Sequence, residues 1–174
     1  HRQIVGVHNG VIDNADDIRG AYPFKAEVDS AAIFALLSGV AVTPLTRDML
    51  AETLPRLTGD LATIAADKRL PGHIFVARDN SRPVVFGRDT DRGVMWLAST
   101  TAIMVEGLMP DFRIKRMPAN TIAELTPAHA DGKRIKYTGW TPTPRIDLLE
   151  LYLASLDITG KKFKGGKLPN WLLY

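Results

Sequence analysis

The chain has 174 residues, 45% of them hydrophobic and 24% charged, a formal net charge of +3 and no cysteine. That length suits one domain with a single core, and the lack of cysteine excludes disulfides, thiolate metal sites and a cysteine nucleophile drawn from these residues. So small a charge argues against a nucleic-acid groove, which needs many phosphate contacts from one face; with no apolar run of about 18 residues and no signal-peptide pattern, a soluble, cytoplasmic protein without membrane contact is expected.

In chain order, "QIVGVHN" clusters Ile4, Val5 and Val7 and reads as a buried strand that stops at Asn9-Gly10. Asn-Gly tolerates positive φ and ordinarily marks a turn. An Asn amide and an unobstructed Gly N–H at a strand end would also cradle a developing oxyanion. "DNADDIRGAY" offers Asn and Asp caps for a short helix closed by Gly20. "EVDSAAIFALLSGV" sets Ile33, Leu36, Leu37 and Val40 at helical spacing, with Asp29 or Ser30 as N-cap.

A second such helix begins near Thr46, striped by Met49, Leu50, Leu54 and Leu57, and "TGD" ends it. "LATIAAD", "HIFVARD", "PVVFGRD" and "VMWLAS" then read as sequential antiparallel strands. A helix follows at "TTAIMVEGL", and "FRIKRMPANTIAELTP" and "KRIKYTG" supply two or three further strands. "TPTP" marks a boundary, giving one domain over residues 1–139 and an extension over 140–174 with an amphipathic helix, "IDLLELYLASL". The basic "KKFKGGK", from Lys161 to Lys167, reads as a solvated tail. The apolar Trp171, Leu172, Leu173 and Tyr174 are expected to pad a neighbouring surface, in a homo-oligomer or a protein assembly. This order of elements implies an α+β fold with at least one antiparallel sheet.

Of the four histidines, His1, His8, His73 and His129, none lies at i, i+4 spacing with another ligand, so no metal is expected. No Gly-x-Ser-x-Gly elbow, Gly-x-Gly-x-x-Gly loop or Walker loop occurs, and no cofactor is expected. What remains is Asn9-Gly10 and Asp29. A carboxylate before a helix is ordinarily a cap; facing a pocket, it would bind a cation such as an α-ammonium.

"VGVHNGVIDN", "AEVDSAAIFALL", "LPRLTGDLATIAAD", "FVARDNSRPVVFG" and "MWLAST", in that order and spacing, resemble the glutaminase domain of class II glutamine amidotransferases. The resemblance covers roughly residues 1–138 and is nearest to the glucosamine-6-phosphate synthase branch; five ordered landmarks are far more specific than one. It implies an N-terminal-nucleophile hydrolase fold, an αββα sandwich incomplete at its N-terminus, and glutamine as substrate. It assigns the oxyanion hole to the Asn9 amide and the Gly10 N–H, the α-ammonium to Asp29 and a place on the substrate side to His8. Arg78, Asp79 and Ser99 match landmarks that support the sheet.

The departures from the family pattern are specific. Its nucleophile is an N-terminal cysteine whose own amino group is the base, and here residue 1 is His1 and no cysteine occurs. The upstream His-x-Arg-Trp-like segment, whose Arg holds the substrate carboxylate, is missing, and Ser30 is followed by Ala31 where the family often has Glu. The expectation is therefore part of an ammonia-releasing glutaminase, inert alone, its nucleophile on a missing N-terminal segment or a companion chain. The alternative is an inactive, amidotransferase-like binding or assembly module.

Overall fold

A five-stranded sheet with helices on one face and a second sheet on the other organises the chain. The structure, a computed structural model, describes residues 3–89, 91–107 and 114–143, which belong to one unit, His1–Thr143. The expectations for His1, the helix over 146–156, the lysines of 161–167 and the apolar Trp171, Leu172, Leu173 and Tyr174 lie outside the described residues.

The elements follow as β1 (Ile4–Ile12), α1 (Ala15–Ala21), α2 (Ser30–Val40), α3 (Arg47–Thr53), a 3-10 turn (Leu54–Arg56), β2 (Gly59–Asp67), β3 (Ile74–Arg78), β4 (Val85–Asp89), β5 (Val94–Ala98), α4 (Thr101–Gly107), β6 (Lys115–Arg116), β7 (Thr121–Leu125), α5 (Pro127–Ala130) and β8 (Tyr137–Gly139). The larger sheet has the order β1-β2-β3-β7-β8 and the smaller β5-β4-β6. Every neighbouring pair is antiparallel.

Successive strand side chains point to opposite faces. Leu61, Ala65, Phe75, Ala77 and Ile122 accordingly meet Ile18, Ile33, Leu36, Leu37 and Leu50 of the helices. Ala62, Val76, Ala123 and Leu125, on the other face, pack with Val84, Phe86 and Met117 of the second sheet. Val85 and Gly87 of β4 point away from the larger sheet and are still buried, and α4 packs against β4 and β5. Four layers result, the αββα sandwich.

Local chemistry explains the element ends. Asp29 caps α2 by accepting from the Ser30 N–H, and Thr46 caps α3 by accepting from the Met49 N–H. Pro55 has no N–H to continue an α-helix, so the stripe of Leu50, Leu54 and Leu57 passes through a 3-10 turn before β2.

Four expectations are corrected. β1 does not stop at Asn9-Gly10 but runs on to Ile12, because its partner β2 continues from Asp67 back to Gly59 and keeps the ladder paired. Gly20 lies inside α1, which ends when the Tyr22 N–H bonds the Ile18 carbonyl at 2.8 Å, and Asn14 does not cap it. The Asn14 side chain instead donates to the Arg56 carbonyl at 2.9 Å and accepts from the Thr58 N–H at 3.0 Å. The strands from β2 to β5 are not one meander, since β3 pairs with β2 and β7 while β4 pairs with β5 and β6. Finally, α5, started by Pro127 and a Thr126–His129 capping box, was not expected.

Candidate functional site at the β1 edge

β1 is the outer strand of the larger sheet. Its even positions face the helices: Ile4 and Ile12 are core. The odd positions Val5, Val7 and Val11 face the other way, and Val7 is 63% exposed. His8 and Asn9, adjacent in sequence, therefore stand on opposite sides of the sheet.

The hydrogen-bond parity of the strand decides where Gly10 points. Gly10 lies opposite Leu61, and Leu61 turns both backbone groups away from β1: its N–H donates to Asp79 Oδ2 at 2.6 Å and its carbonyl accepts from the Asp79 N–H at 2.9 Å. Gly10 and Leu61 thus form a non-hydrogen-bonded pair of the ladder. The Gly10 N–H is directed outward, away from β2, on an edge that no strand of the described residues covers. Ile12 has the same parity, and its outward N–H donates to Asp29 Oδ2 at 2.7 Å.

Only glycine fits at position 10. Its φ is +147°, and a Cβ there would lie 2.0 Å from the Asp60 carbonyl oxygen and 2.8 Å from His8 Nε2. Asn9 is exposed, and among the described residues its side-chain amide has no hydrogen-bond partner. With Val7, His8, Ile64, Leu97 and Ser99 it borders a cavity of about 190 Å³ between the two sheets. An anion just off the β1 edge would meet both a free amide and a free N–H.

Asp29 reaches the same edge from the start of α2. Its Oδ1 accepts from the Ser30 N–H at 2.7 Å while Oδ2 holds Ile12. Burial pushes its pKa up, but the N–H groups of Ile12 and Ser30, the positive charge of His8 when protonated and the Ser30 hydroxyl outweigh it and hold the group below the ordinary 3.8. The unfolded chain therefore takes up this proton at higher pH than the folded one. Its contribution to stability is complete above the unfolded value and is lost as pH falls through the folded one. In urea titrations the stability advantage of the wild type over Asp29→Asn should shrink between about pH 5 and about pH 2; an advantage constant across that range would refute the assignment.

His8 holds the two halves of this arrangement together. Its Nε2 lies 3.1 Å from the Asp60 carbonyl, which can only accept, so Nε2 carries the proton. Nδ1 lies 3.0 Å from Ser30 Oγ, whose hydroxyl also faces Asp29 Oδ1 at 3.4 Å. Both ring nitrogens are engaged, pinning the first turn of α2 to the start of β2.

Below the edge lies a buried polar network. Asp79, 3% exposed, accepts from the N–H groups of Leu61, Ser81 and Arg82 and from the Ser81 hydroxyl. Arg78, 2% exposed, donates to the carbonyls of Asp79 at 2.7 Å and Met117 at 3.2 Å. Burial and then the charge of Arg116 lower its pKa, against the pull of Asp79. The Trp140 indole N–H donates to the Arg78 carbonyl at 3.2 Å. Ser99, expected as a support of the sheet, lies just past β5 on the cavity wall.

Asn9, Gly10, Asp29 and His8 are thus brought to one strand edge, although Asp29 does not line the cavity that Asn9 borders. Sequence reasoning missed Asp60, whose carbonyl meets His8 and whose carboxylate pairs with Arg82 at 2.9 Å. It also missed Thr63, whose buried hydroxyl donates to the Val7 carbonyl at 2.9 Å. Gly59-Asp60 at a strand start was the available signal for the first; the second has none, being one polar residue in an apolar run. Among the described residues no group of three His, Cys, Asp or Glu is placed to hold a metal ion, and no helix is long and apolar enough to cross a membrane.

A family model described as "Glutamine amidotransferase domain" matches residues 1–106. Glutamine–fructose-6-phosphate aminotransferase (isomerizing) of Salmonella typhi is 36% identical over 90 residues, covering 48% of this chain and 15% of the relative. The Escherichia coli K12 protein of the same name is 33% identical over 90 residues, with the same coverage. Among solved structures, the glutamine phosphoribosylpyrophosphate amidotransferase of B. subtilis superposes with a TM-score of 0.61 at 18% identity, covering 79% of this chain and 29% of that one. A structure described as the allosteric regulatory enzyme of purine biosynthesis gives 0.60 at 18% identity, covering 79% and 28%. The chain thus matches only 15% of the length of the curated relatives.

Proposed function

The chain belongs to the glutamine amidotransferase domain family, and from that membership we propose that its β1 edge is the amide- and ammonium-binding part of a glutaminase site. Asn9 and Gly10 form the oxyanion hole, Asp29 takes the α-ammonium of glutamine, and His8 serves the substrate side by fixing Ser30 and with it Asp29. Residues 1–139 carry this role and 140–174 form an extension.

Spacing along the strand is the observation that carries the reading. The outward N–H of Gly10 and the Asp29-bonded N–H of Ile12 are two residues apart on one strand, roughly 7 Å at the rise of an antiparallel strand. The ammonium nitrogen and side-chain carbonyl oxygen of extended glutamine are separated by roughly 5–6 Å at standard bond lengths. One glutamine spans the two points, placing its carbonyl oxygen where Asn9 and Gly10 donate. The chemistry that fits is thiolate attack on the side-chain amide, a tetrahedral oxyanion stabilised by the two donors, loss of ammonia, and hydrolysis of the thioester.

The 174 residues contain no cysteine, so the attacking sulfur comes from polypeptide outside them. The test is to isolate the protein from its source, determine its intact mass and N-terminal sequence, and assay glutamine hydrolysis. The expected result is a cysteine-bearing segment or companion chain and the release of glutamate and ammonia in equal amounts. A preparation with no such cysteine and no hydrolysis would favour the binding-module reading instead.

A further inference from the structure

At the end of the sandwich beside β8, the edge opposite β1, a second cavity of about 660 Å³ opens between the smaller sheet and the α5–β8 segment. We propose that it binds a small organic phosphate, whose anion is held by Arg88, Lys115 and Arg134 and whose apolar or planar body rests on Phe86, Met95 and Ile135. The inference is independent of the glutaminase reading.

Strand register gathers these groups. Phe86 and Arg88 are two apart on β4, Met95 lies opposite Arg88 on β5, and Lys115 lies opposite Phe86 on β6. All four therefore share the face of the smaller sheet that looks toward the larger one. Arg134 and Ile135 come from the segment leading into β8. Among the described residues four cations line the cavity and no carboxylate does. Among the described residues none of the four is in an ion pair, whereas Arg19, Arg47, Arg69, Arg82 and Arg92 are.

Arg88 is the anchor. One terminal nitrogen donates to the Lys133 carbonyl at 3.0 Å, which fixes the guanidinium plane, while its buried Nε has no partner. A guanidinium has five donors in a fixed fork that matches phosphate oxygens. Gathering four like charges without an anion is unfavourable, and a phosphate relieves it. Tyr137 on the same wall adds a phenolic hydroxyl donor. The volume is that of a small-ligand pocket, roughly 300–1,000 Å³. The concave form and apolar floor favour a small molecule over a polynucleotide, which needs an extended cationic face.

The test uses the full-length protein in low salt, titrated calorimetrically with phenyl phosphate, inorganic phosphate and a short oligothymidylate. Phenyl phosphate should bind once per chain and about tenfold more tightly than inorganic phosphate, the ring adding contact with the floor. Lys115→Gln, at an exposed position, and Arg134→Gln should each weaken it about fivefold or more, and Lys68→Gln, exposed and outside the cavity, should not. Thermal melts establish that the variants fold. No saturable binding up to about 10 mM, equal loss in Lys68→Gln, or preference for oligothymidylate would each overturn the proposal.

Discussion

Asp79→Ala should destabilise the protein by about 3–4 kcal/mol, read as a fall in the urea midpoint with little change in slope. The carboxylate is 3% exposed and accepts four hydrogen bonds, from the N–H groups of Leu61, Ser81 and Arg82 and from the Ser81 hydroxyl. Alanine leaves the Leu61 N–H, near the start of β2, without an acceptor, and a buried donor stripped of its partner costs more than the bond is worth net. The loop over 79–84 is also where the chain leaves one sheet for the other, so the same substitution loosens the crossover. Asp79→Asn keeps one carbonyl oxygen and should cost about half as much. A loss below about 1 kcal/mol for the alanine variant would show that the network is not what holds the crossover.

Asn9→Ala should leave stability nearly unchanged and, in the protein that carries the thiolate, lower glutamine turnover by about 10²–10³-fold. Asn9 is exposed and its amide touches no other polar group among the described residues, so its removal disturbs no packing. An oxyanion donor acts where charge develops, so the loss should fall on kcat rather than KM. The converse pattern, a raised KM at unchanged kcat, would assign Asn9 to ground-state binding and sink its oxyanion role. A drop in melting temperature as large as that of Asp79→Ala would make the residue structural.

Much of the layout was legible because its signals are local. Asp29 before Ile33, Leu36 and Leu37 is a cap followed by a helical stripe, and α2 forms there. "HIFVARD" and "VMWLAS" are short apolar runs between turns, and β3 and β5 occupy them. What was not legible depended on distant partners. Asn9-Gly10 has the chemistry of a turn, and it lies inside a strand because β2, some 50 residues later, supplies a continuous ladder across it. The split of β3 and β4 between two sheets falls at Asp79, whose bond to Leu61 no periodicity encodes. At the candidate site, residue types pointed to Asn9, Gly10 and Asp29, but the outward direction of the Gly10 N–H needed the parity of the pairing.

That parity has a consequence for how the sequence can change over time. His8 reaches the helix layer and Asn9 the inter-sheet cavity only because they are consecutive on a strand whose register is fixed at nine positions, from Ile4 opposite Asp67 to Ile12 opposite Gly59. Replacing an exposed side chain such as Val5 alters one contact. Inserting or deleting a single residue in β1 shifts the register on one side of the change and exchanges every face there; where that side includes residues 8–10, the His8 ring turns away from α2, Asn9 goes under α2 and the Gly10 N–H enters the ladder. The strand is therefore free to drift in composition but not in length, and gaps in related chains should fall in the loops on either side of it.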